Sequence, residues 1–171
     1  MPVLVILMAL LGASAAMARS LETDARSGIQ AFVDNCFSPR LTAAKAARVF
    51  DLANLSHDFY DLDPLTAVPP SPATKRAVTP GTDRRCEVSF GGDFTAPAVT
   101  AVTRRLIREG ITRPAPLPAL YEKRRTPSTA LLAARRLNPR KIAVVQVGTR
   151  PGKGSPETFL YVERLRLAET D

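Results

Sequence analysis

Tryptophan is absent from this sequence, histidine occurs once and cysteine twice. Each shortage removes a class of explanation. With aromatics at 6%, the core has to be mostly aliphatic. With His57 as the single histidine, neither cysteine has the partner that activates a catalytic thiol. Ser56-His57-Asp58 contains the residue types of a hydrolytic triad, but adjacent residues cannot adopt its geometry. His57 therefore reads as a surface side chain in a loop. Glycine is outnumbered by proline, 9 to 15, which points to stiff connecting segments. Lysine is scarce too, at five of the 24 basic residues, so the positive charge is mainly arginine charge.

What is present suits one ordinary domain. The chain has 171 residues, 45% of them apolar, enough for a real core. Its net charge of +8 favours anionic partners.

The first 18 residues bear on compartment. They carry no charged side chain, and Val3 to Leu11 is an apolar block followed by small residues ending Ala16-Met17-Ala18. That is the pattern of a signal peptide cleaved after Ala18, with Ala13-Ser14-Ala15 as the weaker site. The alternative, an uncleaved anchor, would need about 20 apolar residues, and this run is shorter. The expectation is a periplasmic or secreted protein with no transmembrane span after cleavage. In an oxidising compartment the even pair Cys36 and Cys86 reads as a disulfide.

Along the remaining chain, Ile29, Phe32, Val33 and Cys36 follow helical spacing. They predict a helix from Leu21 to Asn35, capped by Ser20 and stopped by Pro39. Ala46, Val49, Phe50 and Ala53 predict a second helix from Ala43 to Ala53, capped by Thr42. Residues 54–83 hold five prolines and read as a long connector. In Arg84-Arg85-Cys86-Glu87-Val88-Ser89-Phe90, alternation puts Cys86, Val88 and Phe90 on one face of a strand and Glu87 and Ser89 on the other. Gly91-Gly92 ends that strand. Thr95 caps a helix with Pro97 in its first turn and Gly110 at its end. Residues 117–123 allow a short strand. Residues 129–137 suit either strand or helix, and the Asn138-Pro139 turn favours strand. Residues 141–147 and 158–165 are strands joined by a Gly/Pro hairpin loop. The fold class expected is α+β: two N-terminal helices, a strand-helix unit and a C-terminal antiparallel β-meander, with one disulfide, as a single domain over 19–171.

Candidate chemistry is thin. Asp58, Asp61 and Asp63 lack the glycine and distal glutamate of a calcium loop, so no metal is assigned. Residues 148–155 depart from a phosphate-binding loop in glycine spacing, and Gly154 stands after Lys153 where that loop needs Ser or Thr. Gly91-Gly92 before a helix could hold an anion, but Asp93 competes for the same dipole. No catalytic residue and no cofactor is assigned. The basic residues come in pairs: Arg84-Arg85, Arg104-Arg105, Arg124-Arg125 and Arg135-Arg136, with Arg140-Lys141 close by. Such pairs are commonly a solvated face; Arg84, Arg85, Arg104, Arg105, Arg135 and Arg136 are also the candidate anion-binding residues. Aromatics are not interleaved with them as single-stranded nucleic-acid binding requires, so no nucleic-acid partner is expected. Anionic envelope components are the partner class that charge and export together favour.

The stretches FVDNC, CEVSF, LNPRKIAVVQVGTRPG and ETFLYVERL, with the export segment, resemble a group of small, uncharacterised exported proteins of alphaproteobacteria. The resemblance implies a periplasmic location and one domain, and brings no reaction or ligand. Three functions are weighed: a non-catalytic envelope-associated or binding protein, a periplasmic enzyme or accessory factor using carboxylates, and a secreted protein acting on anionic cell surfaces. The first leads, because no catalytic constellation is found.

Overall fold

The computed structural model describes residues 20–65, 67–71 and 79–167. The export segment at 1–18 and residues 72–78 of the connector lie outside them. Helix α1 covers residues 20–35 of the described chain, with Ser20 already inside it, not capping it. Its apolar stripe is buried at Ala25, Ile29, Phe32 and Val33. Gly28 completes that stripe because a Cβ there would stand 2.5 Å from a ring carbon of Phe90. Helix α2 (Ala43–Leu52) starts at Thr42, whose side chain accepts the Lys45 backbone N–H at 3.3 Å. It buries Ala46 and Phe50.

The connector is shorter than the sequence suggests. Residues Ser56–Asp61 form strand β1, paired antiparallel with β2 (Thr82–Gly91). No alternation marks β1, because Phe59 and Tyr60 point to opposite faces and both are buried. Its pairing with a strand more than twenty residues away defines it. His57 accordingly lies on a strand, with Nδ1 3.7 Å from Asp51.

After β2, helix α3 (Thr95–Arg108) packs Ala98, Val102 and Leu106 inward. Thr95 is its first residue and not its cap, which is Phe94; the Asp93 carboxylate just before accepts the Thr95 backbone N–H at 3.1 Å and its hydroxyl at 2.8 Å. That carboxylate occupies the helix N-terminus. Residues Ala119–Lys123 form the short helix α4 in place of the expected short strand. Pro116 and Pro118 cannot donate to a ladder, and the Pro118 carbonyl instead accepts the Tyr121 N–H at 2.9 Å. The meander follows as β3 (Thr129–Asn138), β4 (Lys141–Pro151) and β5 (Pro156–Arg166). The ambiguous 129–137 stretch is thus a strand, and Asn138 pairs with Lys141 across the predicted tight turn.

The sheet has five strands in the order β1-β2-β5-β4-β3, every neighbouring pair antiparallel. Helices α1, α2 and α3 cover one face over the main core, which includes Phe32, Phe50, Val88 and Leu160. The other face carries a smaller core of Tyr121, Ala134, Ile142, Val144 and Leu165. Both faces of β2 are therefore buried, which makes the fold α+β with a covered sheet. Cys36, just past α1, is bonded to Cys86 of β2, with Cα atoms 5.5 Å apart. Both cysteines are buried.

Candidate binding site

Pairing fixes what lies beside what. One row across the sheet reads Asp61, Arg84, Arg164, Ala143, Arg135 from β1 to β3. Partners in one row share a face, and this row is on the helical side, next to the disulfide. Arg84 donates to Asp61 Oδ2 at 3.0 Å and to the carbonyls of Ser38 at 2.6 Å and Pro39 at 3.2 Å. Its guanidinium lies over the Phe59 ring, 5.3 Å from the centroid. Arg164 donates to Asp61 Oδ1 at 2.9 Å and Asp83 Oδ1 at 2.5 Å. Lys141 bridges Asp63 at 2.7 Å and Asp83 at 3.1 Å, and Arg166 reaches the same two carboxylates. The Lys141 hydrogen bond holds the Asp63 carboxyl below its ordinary range.

The helices end short of this row and leave a cavity of about 480 Å³ above it. Its deep end is Cys36, Ala143, Arg84 and Arg164, all buried; Phe37, Ile111 and Val162 line its sides. Its mouth is formed by Leu65, Leu137, Asn138 and Glu109. Leu65 and Leu137 are 69% and 38% exposed. The volume falls within the range of about 300–1,000 Å³ usual for small-molecule sites. A second cavity, of about 400 Å³, is lined by Asp63, Arg140, Lys141, Arg166 and Leu167. Lys141 lines both.

The opposite face holds a different cluster, built on the row Tyr60, Arg85, Glu163, Val144, Ala134. Arg85 pairs with Glu87 and Glu163 and lies 3.4 Å from Asp58. Its guanidinium stacks over the Tyr161 ring at 4.6 Å. Tyr121 donates its hydroxyl to Glu163, which is 1% exposed. Arg150 donates to Glu87 at 2.6 Å and to Glu157 at 2.7 Å. Burial alone would raise the Glu87 carboxyl; Arg85 and Arg150 outweigh it and hold it below its ordinary value. Three carboxylates thus converge on a guanidinium and not on a cavity. Asp61 does line a smaller cavity of about 280 Å³, but both its oxygens are already bonded to arginines.

The six arginines singled out by their pairing separate on folding. Arg84 is buried and Arg85 half-buried, on opposite faces of β2, and each is paired with carboxylates inside the protein. Arg105 pairs with Glu109 at 2.8 Å. Arg104 is exposed, while Arg135 and Arg136 are half-buried, and among the described residues their guanidiniums bond only to the carbonyls of Ala134 and Pro139 respectively. Lys141, Arg164, Arg166 and Asp83 emerge from the geometry alone. No spacing rule links all four, although the alternation Arg164-Leu165-Arg166 within a strand is a signal that both arginines share one face.

Comparison of the chain with protein-family profiles, curated proteins and solved structures finds no match to any of them.

Proposed function

We propose that this is an exported, non-catalytic binding protein that associates with anionic components of the cell envelope. The observation that carries the reading is where arginine charge is left over. Arg84, Arg85, Arg150 and Arg164 neutralise acids inside the protein. Arg104, Arg108, Arg113, Arg135, Arg136 and Arg140 meet no carboxylate among the described residues, nor do Arg40, Arg48, Arg124 and Arg125 elsewhere. The first six lie around the end of α3 and the β3–β4 turn, with Arg135 on the helical side of the sheet and Arg136 on the other. Helix α3 packs on both strands, the Arg136 N–H donates to the Arg113 carbonyl at 2.8 Å, and Arg140 sits in the turn. Ile107, 64% exposed, stands beside Arg104 and Arg108 on the outer side of α3. Basic charge with an exposed aliphatic suits a lipid or polyanion surface. Export is supported by the 1–18 segment and by the disulfide. Among the described residues no helix is long and apolar enough to cross a membrane.

The test is co-sedimentation with phosphatidylglycerol-containing vesicles against phosphatidylcholine vesicles, at about 0.15 M salt. Each basic residue near such a surface contributes about 1 kcal/mol. Arg104→Glu, Arg108→Glu and Arg136→Glu combined should lower retention by at least about tenfold. Equal retention on both vesicle types, or none on the anionic ones, would sink the reading.

A further inference from the structure

We propose that the two cavities sharing Lys141 form one site for a single-chain anionic amphiphile: one acyl chain carrying a carboxylate or phosphate head. The two cavities divide by chemistry. The larger is walled by Phe37, Leu65, Ile111, Leu137, Ala143 and Val162, which offer an acyl chain contact but no hydrogen bond. The arginines at its deep end do not offer charge, since Arg84 and Arg164 are already bonded to Asp61 and Asp83. The smaller cavity is the polar half. Its wall sets Arg140, Lys141 and Arg166 against the single carboxylate of Asp63. Asp83 is shared by Lys141, Arg164 and Arg166, so the linked network sets Arg84, Arg140, Lys141, Arg164 and Arg166 against Asp61, Asp63 and Asp83, an excess of positive charge. The Arg140 guanidinium has no acidic partner among the described residues. An anionic head would offset that excess.

Two of the few large apolar side chains left exposed, Leu65 and Leu137, are at the mouth of this same cavity. Exposed apolar residues gathered at a concave site are what ligand entry requires. Chain and head thus have separate, adjoining places, with the Lys141 ammonium at the boundary. The site goes beyond the surface reading above, since it is concave and lies largely apart from the exposed arginines of α3.

The test is calorimetric titration of the full chain with dodecanoate, hexadecanoate, lysophosphatidylglycerol, dodecanol and inorganic phosphate. Both fatty acids should bind, each added pair of methylenes tightening binding about ten-fold until the cavity is full. Dodecanol should bind at least about ten-fold more weakly than dodecanoate. Tighter binding of lysophosphatidylglycerol than of hexadecanoate would assign the head as a phosphodiester, and the reverse order as a carboxylate. Ala143→Phe should abolish chain binding by filling the deep end. Leu65→Asp, at an exposed rim position that leaves folding intact, should weaken it without changing the circular dichroism. Arg140→Glu with Arg166→Ser should remove the preference for dodecanoate over dodecanol. Arg104→Glu with Arg108→Glu should leave dodecanoate binding unchanged while lowering vesicle retention, so the two readings fail separately. Overturning results are affinity independent of chain length, phosphate binding as well as the amphiphiles, or Leu65→Asp and Ala143→Phe both binding normally.

Discussion

Arg84 and Arg85 are adjacent in sequence and lie on opposite faces of one sheet, each at the centre of a different ion cluster. Arg84 grips Asp61 and the chain just past α1; Arg85 grips Glu87 and Glu163 beneath α4. Strand geometry alone forces the separation, and it gives these two residues unlike roles to test.

Removing Arg85 takes from buried Glu163, and from Asp58, the cation that pairs with each among the described residues, while Glu87 keeps Arg150. Arg85→Met should cost about 3–5 kcal/mol, the range for breaking a buried pair from one side. Arg104→Ala, on the exposed side of α3, should stay within about 0.5 kcal/mol. Urea denaturation midpoints of the two variants check the contrast, and similar midpoints would remove Arg85 from its structural role.

All three tyrosines of the chain, Tyr60, Tyr121 and Tyr161, lie on the Glu163 face. Burial first, and the Glu163 charge second, raises each phenol: Tyr60 to about 12, and Tyr121 and Tyr161 above the ordinary tyrosine range. The unfolded phenols ionise near 10, so this stabilisation is complete below pH 10 and is lost as pH rises toward and past 12. Tyrosinate absorbance should therefore rise in one step that coincides with loss of far-ultraviolet circular dichroism. Titration near pH 10 with the fold intact contradicts this.

Glu87 works in the other direction. Its depressed carboxyl contributes stability above the unfolded value of 4.5, and that stability is lost as pH falls below it through the folded value. The melting temperature should drop on acidification from pH 4.5 downward, and Glu87→Gln should flatten that slope. An unchanged slope in the variant would place the acid sensitivity elsewhere.

The bond between Cys36 and Cys86 spans 50 residues, worth about 4 kcal/mol as a constraint on the unfolded chain. Cys36→Ala with Cys86→Ala should lower unfolding free energy by roughly that amount while keeping the circular dichroism of the native sheet. A loss below about 1 kcal/mol would show that the unfolded chain is already constrained there.

Gly28 gives a prediction of sign. Alanine is favoured over glycine inside a helix by about 1 kcal/mol, so Gly28→Ala would ordinarily stabilise. Here the new Cβ would stand 2.5 Å from the Phe90 ring, and overpacking costs about 1–3 kcal/mol. The variant should melt lower than wild type, and Phe90→Leu should recover part of the loss.

The sequence spells out the elements that repeat their own signal. Ile29, Phe32 and Val33, then Cys86, Val88 and Phe90, show period and burial together, and the two buried cysteines imply the staple. Strand β1 is silent because neither Phe59 nor Tyr60 marks an outer face. The cavity is silent because its parts are contributed from distant points: Phe37, Lys141 and Arg164 meet only when β2, β4 and β5 are paired in register. The ion pairs of Arg84 and Arg85 are hidden for the same reason, since Asp61 and Glu163 reach them only through strand pairing.

The staple also has a consequence for biogenesis. A chain with two cysteines has one possible internal disulfide, and Cys36 reaches Cys86 only once the end of α1 lies on β2. Oxidation within one chain therefore cannot lock in a wrong pairing. Forming this bond needs an oxidant and no disulfide isomerase.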